Sequence, residues 1–161
     1  MCRVLQLAGR GKRGEQMFTH ILIAADGSEL ADKAVEQGLA LAAKLGAKVT
    51  AVTVTLPWVS TASGEWPMVF PIEDYERAAA ATARRILGAV ADKAKAAGVP
   101  CDTVHVKDQY AAEGIVDEAK SRKCDLIVMA SHGRRGVARL VLGSEATRVS
   151  THSPVPVMIC R

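Results

Sequence analysis

Nine residues separate Gly133 from the pair Gly143-Ser144, among them Arg134, Arg135 and Arg139. These residue types in this spacing can hold phosphate. A glycine lets the backbone approach an anion and can adopt positive φ. Gly143-Ser144 opens a helical stretch, whose first N–H groups and positive dipole end favour negative charge. The Ser144 hydroxyl adds a donor, and the arginines neutralise charge. His132, in the same loop, either contacts phosphate or holds the loop in shape. Without a ligand, Gly133 and Gly136 read as turn residues and Ser144 as an N-cap. Asp26 ends the first apolar run and is followed by Gly27-Ser28. If the strands before Asp26 and before the glycine loop are neighbours, both face one crevice. The other reading of Asp26 is a turn residue that caps the next helix.

Other chemistry finds less support. No nucleophile, base and orienting group can be assembled from the sequence. Asp125 at a strand start and Glu145 at a helix start have ordinary structural explanations. His20, His105 and His152 show no metal-ligand spacing. Cys2, Cys101, Cys124 and Cys160 are scattered without a CxxC pair. That argues against a zinc site or a disulfide framework, fits a reducing cytoplasm, and suggests thiols that pack rather than react. Gly11-Lys12 resembles part of a P-loop, but Gln6 and Arg13 stand where Gly and Ser or Thr are required.

The elements that must position these residues follow from periodicity. Residues 18–25 form a β-rich apolar run. From Ser28, apolar residues recur at helical spacing to Leu45. Residues 48–55 are rich in Val and Thr and read as a strand. Residues 56–71, with both Trp58 and Trp66, break the pattern as a long loop that serves as a lid, a partner surface or a cover for the sheet's end. A helical stripe of Ile72, Tyr75, Ala79, Ala83, Ile86, Val90, Ala94 and Ala97 follows. Residues 101–107 read as a strand, 111–122 as a helix and 125–130 as a fully apolar strand. After the glycine loop come a helix to His152 and a last strand over 155–160. The alternation predicts an α/β fold, a parallel sheet with helices on both faces.

The 161 residues suit one domain with a tail. Hydrophobic residues reach 49% but aromatic ones only 4%, which argues against single-strand nucleic-acid binding by stacked rings. No apolar run approaches a membrane span. The net charge of +4 does not indicate nucleic acid either, because Arg3, Arg10, Lys12 and Arg13 against Glu15 place +3 of it in residues 1–16. That segment has no lasting periodicity and reads as a disordered N-terminal extension, with the domain spanning 17–161.

The stretch ILIAADGSELADKAVEQGLALA near the start and ASHGRRGVARLVLGSEATRVSTHSPVPVMIC at the end resemble the universal stress protein family. The resemblance covers residues 17–161. The family's nucleotide pattern is Gly, two residues, Gly, nine residues, then Gly with Ser or Thr. Gly133, Gly143 and Ser144 match its later parts, whereas the first glycine is replaced by Ala130. The resemblance implies a five-stranded parallel sheet in the order 3-2-1-4-5 and binding of ATP with Mg²⁺. Asp26 would bond the ribose or adenine, and the backbone of Val54 the adenine; Val54 as plain core is the other reading. Ala130, His132, Arg134 and Glu145 are further candidates for phosphate contact. The expected role is a cytoplasmic stress-response protein that binds ATP as a signal or switch, without turnover as its main task. The alternatives are a slow ATPase or nucleotidyl-transfer enzyme, and a nucleotide-free member acting through protein contacts. The last strand, Val155 to Cys160, would pair with its copy in a homodimer.

A chain starting at Met17 should therefore melt within a few degrees of the full-length protein and bind nucleotide equally well. Thermal denaturation of the two side by side checks this, and a large loss of stability would mean that residues 1–16 pack on the domain.

Overall fold

A computed structural model of the chain describes residues 17–58, 71–133 and 142–161. Residues 1–16, Trp66, Arg134, Arg135, Gly136 and Arg139 lie outside the described residues. Five strands and four helices alternate: β1 (His20–Ala24), α1 (Glu29–Leu45), β2 (Lys48–Val54), α2 (Ile72–Ala96), β3 (Cys101–Val106), α3 (Ala111–Ser121), β4 (Leu126–Ala130), α4 (Ser144–His152) and β5 (Val157–Cys160). The sheet is ordered β3-β2-β1-β4-β5, with every pair parallel.

The apolar runs follow from this topology. β1 and β4 are covered on both faces, so their side chains are apolar in succession rather than in alternation. Ile21, Ile23, Val49, Ala51, Leu126, Val128 and Ala130 pack in one core with the buried stripes of α1 and α2. Leu22, Val52, Ile127 and Met129 pack on the other face with α3 and α4. Ile21, Leu22 and Ile23 are fully buried, which stabilises the domain by roughly 2 kcal/mol for each side chain. α1 lies close to the sheet because Gly38 has no side chain; a Cβ there would stand 2.7 Å from Ile23 Cδ1.

Two element ends differ from the sequence reading. Ile72 belongs to the apolar stripe of α2 yet is 50% exposed, and the buried part of that stripe begins only at Ala83. A 25-residue helix is about 37 Å long, whereas the six-residue β3 spans about 20 Å. The first turns of α2 therefore run past the core. The last strand starts at Val157, not Val155. The Pro156 carbonyl accepts from the Ile127 N–H at 3.0 Å, but proline has no N–H to extend that ladder backwards. At the other end the Cys160 carbonyl accepts from Ser131 N–H at 2.8 Å. Even-numbered residues thus turn their peptide groups to β4, and Val157 and Ile159 turn theirs to the open edge.

Polar ties join the strand starts. The Asp125 carboxylate accepts from Thr19 N–H at 2.8 Å, Thr19 Oγ1–H at 2.7 Å and His20 N–H at 3.1 Å. Burial alone would push this carboxyl up, but these donors outweigh it and hold its pKa below the usual value. The buried His20 ring bonds Thr50 Oγ1 through Nε2 at 2.8 Å. Burial, reinforced by the Lys48 charge, lowers the His20 pKa from 6.5; a bond to the Arg122 backbone and the carboxylates of Asp125 and Asp102 oppose this and lose. Burial also raises the thiols of Cys101 and Cys160, and raises that of Cys124 to about 11. None of these three forms a disulfide. No helix among the described residues is long and apolar enough to cross a membrane.

Both polar ties cost stability in acid, in separate windows. The unfolded chain protonates His20 more readily than the native protein does, so stability falls once the pH drops below about 6.5. The contribution of Asp125 is whole above its unfolded pKa near ~4 and is lost as the pH falls through its lower native value. Asp125→Asn should lower stability by about 1–2 kcal/mol at pH 7, and the difference should narrow below about pH 4. Urea unfolding of both proteins across this range measures it; a difference independent of pH would show that the ionised carboxylate is not the source.

Candidate functional site

The strand order reverses between β1 and β4. Right-handed connections outward from β1 carry α1 and α2 over one face, and the return to β4 carries α3 and α4 over the other. The chains leaving β1 and β4 therefore part company at their carboxyl ends, which is where open α/β sheets bind ligands.

Asp26 and Gly133 meet at this point. A Cβ on Gly133 would lie 3.0 Å from Asp26 Oδ2, so the carboxylate stands against the glycine backbone. The other oxygen, Oδ1, accepts from Ser28 N–H at 2.9 Å. Ser28 in turn caps α1, its hydroxyl accepting from Ala31 N–H at 3.2 Å. The turn role and the crevice role of Asp26 thus coexist: one oxygen fixes the turn while the other faces Gly133.

The end of β4 and the start of α4 are bonded directly. Gly143 N–H donates to the Ser131 carbonyl at 2.9 Å, and a Cβ on Gly143 would come within 2.8 Å of that carbonyl. Gly143 is the N-cap of α4, and Ser144 is its first residue rather than its cap. The Gly143 N–H is thereby engaged by the protein, so the anion-facing donors of this turn must come from Ser144 onward. His132 sits at the junction. Its Nδ1 is 3.1 Å from Ser131 Oγ, and its ring lies beside Gly143.

Val54 closes β2 with its side chain packed toward α3. The Val52 carbonyl accepts from Ala25 N–H at 2.9 Å and so faces β1. Two residues on, the Val54 peptide groups point to the same side, past the end of β1. One N–H and one carbonyl on one residue are what the edge of a purine base needs. Ala130 is still in β4, and its methyl is buried on the α1 face, away from the α4 side. The Glu145 side chain, a candidate for phosphate contact, turns to α3 and to Arg148. Its Oε2 accepts from Ala112 N–H at 2.8 Å and its Oε1 lies 3.9 Å from Arg148, so the side chain is committed to α3. Only its backbone N–H remains to serve an anion. Of the remaining histidines, His105 Nε2 is 2.7 Å from Thr55 Oγ1, and His152 Nδ1 is 2.8 Å from the Arg148 carbonyl of its own helix. Trp58 is partly buried just after β2. Among the described residues no cluster of His, Cys, Asp and Glu is arranged to hold a metal ion.

A family model described as the universal stress protein family matches residues 17–161. A universal stress protein of Methanocaldococcus jannaschii is 31% identical over 153 residues, covering 93% of this chain and 86% of its own. The universal stress protein YxiE of Bacillus subtilis is 31% identical over 149 residues, covering 90% and 100%. Among solved structures, UspA from Lactobacillus plantarum superposes with a TM-score of 0.73 at 25% identity, covering 89% of this chain and 98% of that one. A universal stress protein from Archaeoglobus fulgidus in complex with dAMP has a TM-score of 0.66 at 18% identity, covering 90% and 99%. A family protein from Arabidopsis thaliana with AMP bound has a TM-score of 0.62 at 17% identity, covering 88% and 90%.

Proposed function

The chain belongs to the universal stress protein family, and we propose that it binds ATP with Mg²⁺ in the crevice between β1 and β4, as a cytoplasmic signal or switch rather than for turnover. The observation that carries this reading is the meeting of Asp26 and Gly133 where the strand order reverses. The carboxylate suits the hydroxyls of a ribose, and its charge keeps phosphate away from that end. The Val54 peptide suits the adenine edge. The phosphates then lie at the start of α4, where Gly143 and Ser144 leave room and the helix dipole favours anions. The adenine nucleotides held by the Archaeoglobus and Arabidopsis proteins support the choice of ligand. Mg²⁺ would ride on the phosphate oxygens.

Isothermal calorimetry with ATP and with adenosine tests the assignment. Asp26→Ala should weaken both by similar amounts, about 1–3 kcal/mol. Gly143→Val should abolish ATP binding, because its side chain forces the Ser131 carbonyl and the helix start apart. Ala130→Gly should leave ATP affinity equal or raise it. Unchanged ATP affinity in Gly143→Val, or loss confined to ATP in Asp26→Ala, would overturn the placement.

We also infer a homodimer through β5. Val157 and Ile159 carry their N–H and carbonyl groups on the open edge, and each needs a partner or water. A second copy of the strand, antiparallel across a two-fold axis, is self-complementary. Val157→Pro removes a donor from that edge without touching the ladder to β4. Sedimentation should find the unaltered protein dimeric at micromolar concentration and the variant monomeric. A dimer that survives the substitution would place the interface elsewhere.

A further inference from the structure

The start of α3 is set by a side chain that does not belong to it. Its N-cap, Tyr110, makes no side-chain capping bond. The Ala112 N–H, one of the first donors that a helix leaves without an internal partner, is satisfied by Glu145 Oε2 from α4 at 2.8 Å. Arg148 braces the same junction, with NH2 at 3.2 Å from Glu113 Oε1 and NH1 at 3.9 Å from Glu145 Oε1. Glu145 directly follows Ser144, at the phosphate end of the crevice described above. The helix that it caps reaches the opposite end. A Cβ on Gly114 of α3 would come within 3.1 Å of Val54 Cγ1 and of Val106 Cγ1, so α3 rests on the end of β2 with no slack. Gln109, just before α3, donates its N–H to the Thr55 carbonyl at 3.3 Å. A series of contacts thus runs from the first turn of α4, through Glu145 and α3, to the Val54 side chain and the Thr55 carbonyl at the end of β2.

We propose that Glu145 is a positioning residue: by capping α3 from α4, its carboxylate couples the phosphate end of the nucleotide site to the base end. The inference rests on the nucleotide reading of the crevice and goes beyond it. A side chain at the phosphate end sets the affinity for a ligand with no phosphate. A glutamate acting only through its charge would be felt by ATP alone. The hydrogen bond, not the charge, is what transmits the position of α4 to α3.

Three substitutions separate these roles. Glu145→Ala removes the acceptor. Glu145→Asp keeps the charge but falls short of Ala112 by one methylene. Glu145→Gln loses the charge but keeps an amide oxygen in reach. Calorimetry with adenosine should find binding weakened about threefold or more in the Ala and Asp variants and close to the unaltered protein in Gln. Without any nucleotide, the Ala112 amide should exchange with solvent deuterium about tenfold faster in the Ala and Asp variants, and at the native rate in Gln. Adenosine affinity unchanged in the Ala and Asp variants overturns the coupling, even if ATP affinity moves. If Glu145→Ala does not fold, the contrast between Asp and Gln still decides. An unaltered protein that binds neither adenosine nor ATP removes the nucleotide reading and the coupling with it; faster exchange would then mark Glu145 as a structural cap alone.

Discussion

The reversal of direction at β1 governs the rest of the molecule. Each crossover from one parallel strand to the next is right-handed, so outward progress through β2 and β3 lays two helices on one face. The return to the other side of β1 must lay the next two on the opposite face. Between β1 and β4 no connection can cross the sheet's carboxyl end. The backbone diverges there to either side, and two loops that are distant in sequence stand side by side. The burial of Ile21, Leu22 and Ile23 follows from the same constraint, since the strand at the reversal has neighbours on both edges and helices on both faces.

The crevice is shaped by short backbone ties rather than by its side chains alone. Ser131 and Gly143 bracket the glycine loop and are bonded to each other, so the loop leaves and re-enters the fold at one place. A fixed entry and exit limit where its ends can go. Asp26 is similarly constrained, because one of its oxygens belongs to the turn that starts α1. Preorganisation of this kind reduces the ordering that a ligand would otherwise have to impose.

Much of this was legible in the residues. The apolar runs over β1, β2 and β4, the capping Ser28 and the helix opening at Gly143-Ser144 all carry local signatures of period or residue type. The strand order is not local, and it came from likeness to a family; the meeting of Asp26 with Gly133 depends on it. What escaped were contacts over long separations. The bond from Ala112 to Glu145 leaves no trace, because an acid in the first turn of a helix already has a sufficient explanation in the helix dipole. The same holds for Asp125, whose donors are more than a hundred residues away. The stripe of α2 misled in the other direction, since helical periodicity continues through Ile72 whether or not the sheet extends beneath it.

The three cysteines of the described fold give it a chemical character of its own. The thiolate, not the thiol, attacks peroxides and disulfides, and the thiolate fraction falls tenfold for each unit by which a thiol pKa rises. Cys124, raised to about 11, stays protonated at neutral pH, and its side chain is buried. Cys101 and Cys160 are displaced in the same direction by the same burial. The Cys124 and Cys160 sulfurs pack as small hydrophobes, and the raised pKa makes all three thiols slow nucleophiles. An oxidant that modifies exposed, low-pKa thiols would react far more slowly with the buried Cys124 and Cys160, so their chemistry sets no early limit on the survival of the core.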